Sequence, residues 1–264
     1  MNSVTNFPVK LCIKSQNIIH SPLEQFAIEN YSILDCWTPL TNSAIAIFVP
    51  ICFFLLACSY FQRGGSLVAK YWPQALIELI YEFVYNLVQE QVGKKGFPYF
   101  PFVFSLFSFL LVTNLFGMLP ITFTSTSHFI ITFGLSVSVF IGVTVIGFQT
   151  HGLHFFSFLL PPGAPLMLAP LLVVLELVSY SFRAISLGVR LFANMMAGHT
   201  LVHILCGFSW EMLMAGGFLI KCASLVPMAV VIALIGLEIG VAILQAYVFT
   251  ILSCIYINDA IHLH

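Results

Sequence analysis

Charge is the scarcest property of this 264-residue sequence: nine Lys and Arg and ten Asp and Glu make 7% of it, against 60% hydrophobic residues. A soluble chain keeps about a quarter of its residues charged to hold its surface in water. A soluble domain is therefore excluded, and the chain reads as a polytopic membrane protein. The formal net charge of −1 leaves no surplus of either sign to direct at nucleic acid or other polyanions. Seven cysteines occur without a CxxC pair or a Cys/His cluster, which points to neither a disulfide framework nor a zinc site; they read as small apolar fillers. There is no GxxxxGK[ST] run for nucleotide phosphates and no HExxH. No aspartate falls in any of the apolar runs drawn below, so an intramembrane metallo- or aspartyl protease is set aside. No cofactor and no metal are expected. Residues 1–43 lack both the short apolar core of a secretory signal and an arginine-rich amphipathic pattern, so a cleaved leader is not evident in the pattern.

What is present is a series of apolar runs. Those at 44–61, 102–119 and 128–148 suit a hydrocarbon core of about 30 Å, and two longer ones follow at 168–206 and 221–256. The expectation is an all-α polytopic membrane protein with five transmembrane crossings in a single membrane domain, 44–264, after an N-terminal extension, 1–43. At about 1.5 Å per residue the last two would each reach about 50 Å or more, so they form a long, strongly tilted hairpin. The PPGAP segment (161–165) breaks any helix before the fourth crossing, and Pro227 begins or kinks the fifth.

Between the first two crossings, 74–93 alternates at helical spacing. Leu76, Ile80, Phe83 and Leu87 share one face; Glu78, Glu82, Asn86 and Gln89 share the other. This is expected to be an interfacial amphipathic helix, its acidic face suited to a protein neighbour or simply screening the edge of the chain. Arg63 and Lys70 before it and Lys94 and Lys95 after it place the loop on the inner side, the N-terminus outside and the C-terminus inside.

The fourth run carries an unusual burden. Glu176, Ser179, Arg183, Ser186, Arg190 and Asn194 follow one another at steps of three or four and form one polar stripe. An arginine at bilayer depth costs about 2.5–3.5 kcal/mol and cannot shed its charge. Other helices of the same chain could satisfy the serines and Asn194, and Glu176 could pair with Arg183. Arg190 is harder to satisfy. The acids within the two long runs are Glu176 and Glu238, and Glu176 lies 14 residues away, about 21 Å along the axis. His199, nine positions beyond Arg190, points the opposite way. On the fifth run Glu238 and Gln245 share a face, so antiparallel packing brings Gln245 to the depth of Arg190 and Glu238 toward His199. A histidine and a carboxylate inside a membrane can hold and pass a proton. His128 and His203 are expected to be hydrogen-bonded fixtures. A self-contained ion channel or secondary transporter, with the arginines binding an anion, is the competing reading.

The runs SLGVRLFANMMAGH (186–199), LELVSYSFR (175–183), TNLFGMLP (113–120) and GLEIGVAILQAYVFTIL (236–252) together resemble the subunit a family of F-type ATP synthases in its mitochondrial form, over about 21–258. The resemblance implies a stator subunit that conducts protons through two offset half-channels, lying against a rotor ring of hairpin subunits that each carry an essential carboxylate. It implies that Arg190 faces that carboxylate with Asn194 and Gln245 beside it, that His199 and Glu238 line the entry path, and that Glu176 lies toward the exit. Arg183 and Ser186 take secondary places. Peripheral-stalk and other membrane-sector subunits and lipid are the implied partners, and the mitochondrial inner membrane the implied location. Many bacterial relatives carry an acid at the position of His199 and a histidine at that of Glu238; this chain has the reverse.

Overall fold

The computed structural model describes residues 26–28, 41–62, 72–119, 123–152, 169–214 and 217–261. Most of the N-terminal extension, Arg63, Lys70 and the PPGAP segment lie outside the described residues. The elements are α1 (Asn42–Gln62), α2 (Trp72–Gln91), α3 (Phe100–Gly117), α4 (Phe129–His151), α5 (Ala169–Met214), α6 (Phe218–Ala223) and α7 (Leu225–Ile261). Short 3-10 turns at Lys94–Tyr99 and Ser125–Ser127 lead into α3 and α4. Among the described residues, five helical stretches are long and apolar enough to cross a membrane, built on α1, α3, α4, α5 and the α6–α7 pair. The five expected crossings are therefore present, and α2, with its polar face, is not one of them.

The two long helices run further than their apolar stretches. α5 continues to Met214 rather than residue 206 and takes in Glu211; α7 continues to Ile261 rather than residue 256 and carries Asp259 in its last turn. At roughly 69 and 56 Å they exceed the hydrocarbon thickness, and a helix needs no apolar side chains where it projects beyond it. The expectation that no aspartate lies in a crossing helix is corrected accordingly. Pro227 sits in the first turn of α7, where its missing N–H costs no hydrogen bond, so it starts that helix rather than kinking it.

Small residues set the packing. A Cβ added at Gly188 of α5 would lie 3.1 Å from Phe133 Cα, Ser136 Cβ and the Thr132 carbonyl oxygen of α4. The Ser136 hydroxyl also donates to the Ala184 carbonyl, tying the two helices at that close approach. On α7, Ala246, Phe249, Cys254 and Ile257 are buried in one cluster with Val103, Leu106, Phe107 and Leu110 of α3. α5 thus lies along α4 on one side and α7 on another.

The buried face of α2 is rotated from the expected one. Val84, Leu87 and Val88 are buried, whereas Leu76 and Phe83 remain exposed. The apolar arc of this helix is wider than the strip that α3 and α7 cover, and Leu76 instead lines an apolar cleft of about 1080 Å³ between α1, α2 and α3. Five cysteines fall among the described residues, all free thiols; only Cys254 is buried, so the filler reading suits that one alone.

Candidate functional site

Two faces of α5 carry different chemistry. Along the stripe, Ser179, Ser186, Arg190 and Asn194 are exposed, and Glu176 and Arg183 are partly so. The other helices of this chain do not cover the serines and Asn194, which corrects the expectation of an internal polar seam. Helical spacing put the stripe on one side; what the sequence could not give was whether α4 or α7 would close over it.

Among the described residues Arg190 makes no ion pair. Arg183 does, but not with Glu176: its Nη1 lies 3.5 Å from Asp259 Oδ2 of α7. The unexpected partner follows from the extra turn of α7, which brings a carboxylate to the depth of Arg183. Tyr256, one turn before Asp259, lines a small cavity together with Arg183, Tyr180, Phe140 and Val143. Nearby, Thr144 of α4 and Tyr180 of α5 share a 3.4 Å hydrogen bond.

Rotated half a turn from Arg190, His199 turns inward and its Nδ1 comes 3.6 Å from Glu238 Oε1. Sequence reasoning placed these two groups together, and the structure does so with Glu238 only 5% exposed. Gln245 is buried on the same face of α7, as its spacing required. Gly198 makes the approach feasible: a Cβ there would stand 2.8 Å from Glu238 Oε1 and 3.2 Å from its Cγ. A cavity of about 220 Å³ opens beside the pair, with Asn194, Gly198, Leu234 and Glu238 in its wall. The stripe and the His199–Glu238 pair are thus connected through this cavity, since Asn194 belongs to one and Glu238 to the other. No group of three or more His, Cys, Asp or Glu stands ready for a metal among the described residues.

For several further residues, helical spacing did not give the surroundings that the structure shows. Asn114 of α3 is fully buried; its Nδ2 donates to the Ala242 carbonyl at 3.3 Å, one turn from Glu238, while its Oδ1 has no partner among the described residues. The backbone of Gly117 stands within reach of the His199 ring. His128 is not the hydrogen-bonded fixture expected of it: its ring stacks on Phe123 at 5.0 Å and its buried Nε2 finds no protein partner among the described residues. His203 is exposed on α5 rather than fixed in the interior.

Residues 41–258 match the family model described as ATP synthase A chain. The chain is 57% identical to ATP synthase subunit a of Marchantia polymorpha over 251 residues, 92% of this chain and 99% of that protein. It is 55% identical to ATP synthase subunit a of Brassica napus over 258 residues, 94% of this chain and 98% of that one. With ATP synthase subunit a of Chondrus crispus the identity is 47% over 250 residues, 94% and 98% of the two chains.

Proposed function

The chain belongs to the ATP synthase A chain family, and from that premise we propose that it is the proton-conducting stator subunit of the membrane sector, working against a rotor ring of carboxylate-bearing hairpins in the mitochondrial inner membrane. The observation that carries this reading is Arg190: a permanent cation on a membrane helix, exposed, and without a carboxylate from its own chain among the described residues. A guanidinium in that position requires an anion from outside. A ring carboxylate supplies one.

Protons enter from the outer side, are held by His199 and Glu238, and cross the cavity beside Asn194 to neutralise the ring carboxylate. The neutral acid can then turn into lipid, which a charged one cannot do cheaply. On its return it meets a second half-channel toward the inner side, near Glu176, and releases its proton. Arg190 stands between the two paths. Its charge favours the ionised carboxylate as it arrives, and because it has no proton to give it cannot relay one straight across. Each charge moved through 100 mV yields about 2.3 kcal/mol. Several are therefore needed for one ATP, made elsewhere in the assembly. The absence of a carboxylate-rich coordination cluster among the described residues favours protons over sodium. Peripheral-stalk and other membrane-sector subunits and lipid complete the surroundings.

The test is Arg190→Lys in the assembled complex. An ammonium lacks the planar fork and deprotonates on desolvation, so proton-driven ATP synthesis is expected to be abolished while the complex still assembles. Synthesis at the parental rate overturns the reading, and so does proton transport at comparable rates by the purified chain alone.

A further inference from the structure

Two helices lean on α3 from different sides and leave a space between them: α1 packs on α3 and the 125–127 turn, and α2 on α3 and α7. That space is the apolar cleft of about 1080 Å³. Phe54 and Ala57 of α1, Leu76 and Ile80 of α2, and Leu111 and Leu115 of α3 build its wall. Beside them the rings of Phe53 and Phe116 meet edge to face, 5.5 Å apart, and join α1 to α3. Native packing leaves few voids larger than a water molecule, so an apolar space of this size is a place for something else. We propose that the cleft binds an anionic phospholipid of the surrounding membrane, its acyl chains between the three helices and its headgroup at the end where Ser59 and Trp72 stand. The site lies apart from the proton path and does not depend on it.

Size and polarity decide among the occupants. A helix that crosses the membrane is about 10–12 Å across and about 30 Å long, a cylinder of roughly 2,400–3,400 Å³. The cleft holds less than half of that, so a partner's helix can cover its mouth but not enter it. Water is no better suited. Ser59 brings the one hydroxyl of the wall, and its Oγ already donates to the Leu56 carbonyl of its own helix at 2.9 Å. A buried water needs two or more polar partners, which this wall does not offer. Flexible acyl chains fit an irregular apolar wall without asking it for a hydrogen bond.

Chains alone do not select a lipid, because every tail in the bilayer is as apolar as the wall. Selection falls to the headgroup. The chain that joins Ser59 to Trp72 carries Arg63 and Lys70 and no acid. It lies outside the described residues, but its covalent length bounds it. At 3.3–3.6 Å per residue, Arg63 stays within about 14 Å of Ser59, and Lys70 within about 7 Å of Trp72. Two cations are thus tethered to the end of the cleft. The next acid along the sequence, Glu78, accepts a hydrogen bond from Gln74 Nε2 at 3.2 Å and is not part of the wall. Trp72, 93% exposed at that same end, is the kind of amphipathic ring that membrane proteins set at headgroup level. Basic pockets between membrane helices hold anionic headgroups, each Lys or Arg near the surface favouring them about fivefold.

The experiment uses the assembled complex in phosphatidylcholine nanodiscs that carry a trace of phospholipid with a photoreactive diazirine on one acyl chain. The probe is used once with a phosphatidylglycerol headgroup and once with a phosphatidylcholine headgroup, and after illumination the label is located by peptide mass spectrometry. In the parent, the phosphatidylglycerol probe is expected to label 53–59 and 111–116 roughly five- to thirtyfold more than the phosphatidylcholine probe, the range that one or two cations give. Arg63→Gln combined with Lys70→Gln is expected to bring the two probes level. Ala57→Trp, which sets an indole in the cleft, is expected to reduce the label from both. Equal labelling by the two probes in the parent overturns the proposal, because the cleft then holds ordinary bilayer lipid. Absence of label there overturns it as well, because a neighbouring subunit then closes the cleft. If the tryptophan variant does not assemble, the charge variant decides: level labelling supports the site, and an undiminished preference for phosphatidylglycerol refutes it.

Discussion

The two ends of the helix bundle treat their polar side chains in opposite ways. At the end where α4 and α7 finish, polar groups are paired. Arg183 meets Asp259, the His151 Nε2–H donates to the Ile261 carbonyl at 3.1 Å, and Thr150 donates to the Ala260 carbonyl at 3.4 Å. At the end where α3 finishes, Asn114, Ser125, Thr126, His128, His199 and Glu238 each keep a buried atom without a protein hydrogen bond among the described residues. Pairing across α4, α5 and α7 clamps the first end. Unpaired atoms at the second are costly in a dry interior and inexpensive in a wet one. The difference separates an end clamped by internal pairs from one that leaves buried polar atoms without protein hydrogen bonds, and both are made from the same residue types.

Exchanging one carboxylate for its amide at each end gives the strongest break of that comparison. Glu238→Gln removes a group that can hold a proton and keeps its volume, so conduction through the membrane sector is expected to fall on the order of 10- to 100-fold, with assembly preserved. Asp259→Asn weakens one partly exposed ion pair and is expected to change conduction far less. Equal losses from both substitutions, read as the decay of a pH gradient in membrane vesicles stripped of the catalytic head, would erase the distinction between the ends.

A smaller effect sharpens the same point at Gly198. Alanine there places a methyl group 2.8 Å from Glu238 Oε1 and displaces the carboxyl from His199. Alanine is also the better helix former by about 1 kcal/mol, so α5 itself gains. Gly198→Ala is therefore expected to slow conduction a few-fold while the complex assembles as well as the parent, and Gly198→Val to do more. Slower conduction accompanied by a proportional loss of assembled complex would assign the glycine to packing alone.

Much of this was legible in the sequence because period carries direction. Steps of three and four put Arg190 and Asn194 on one face of α5 and sent His199 to the other, and a seven-residue step put Glu238 and Gln245 together on α7. Those relations depend only on 100° per residue, and the pairing of His199 with Glu238 followed once the helices packed antiparallel. The partner of Arg183 was missed because the end of α7 was placed where its apolar run stops, at residue 256, whereas backbone hydrogen bonding carries the helix on through Asp259. The buried face of α2 was misjudged by one position because periodicity locates an apolar arc and not the part of it a neighbour covers. Gly198 and Asn114 lie inside the runs that carry the family resemblance, yet their spacing gave no sign of what they do. A glycine announces neither the group it admits nor the distance, and a single asparagine in an apolar helix reads the same whether it faces Ala242 or lipid.

The fastening where α4 and α7 finish gives the smallest expected effect, and the one that best bounds the comparison. The Arg183 and Asp259 side chains are 38% and 32% exposed and 3.5 Å apart. A pair so open to its surroundings contributes about 0.2–1 kcal/mol by the standard of exposed ion pairs. In a double-mutant cycle of Arg183→Ala and Asp259→Ala, heat stability of the assembled complex is expected to show a coupling of about 0.5 kcal/mol, within that range. A coupling of several kcal/mol would mean that subunits packed around this end exclude water from the pair, because only a desolvated charge left alone carries that penalty. The fastening would then be built jointly by this chain and its neighbours.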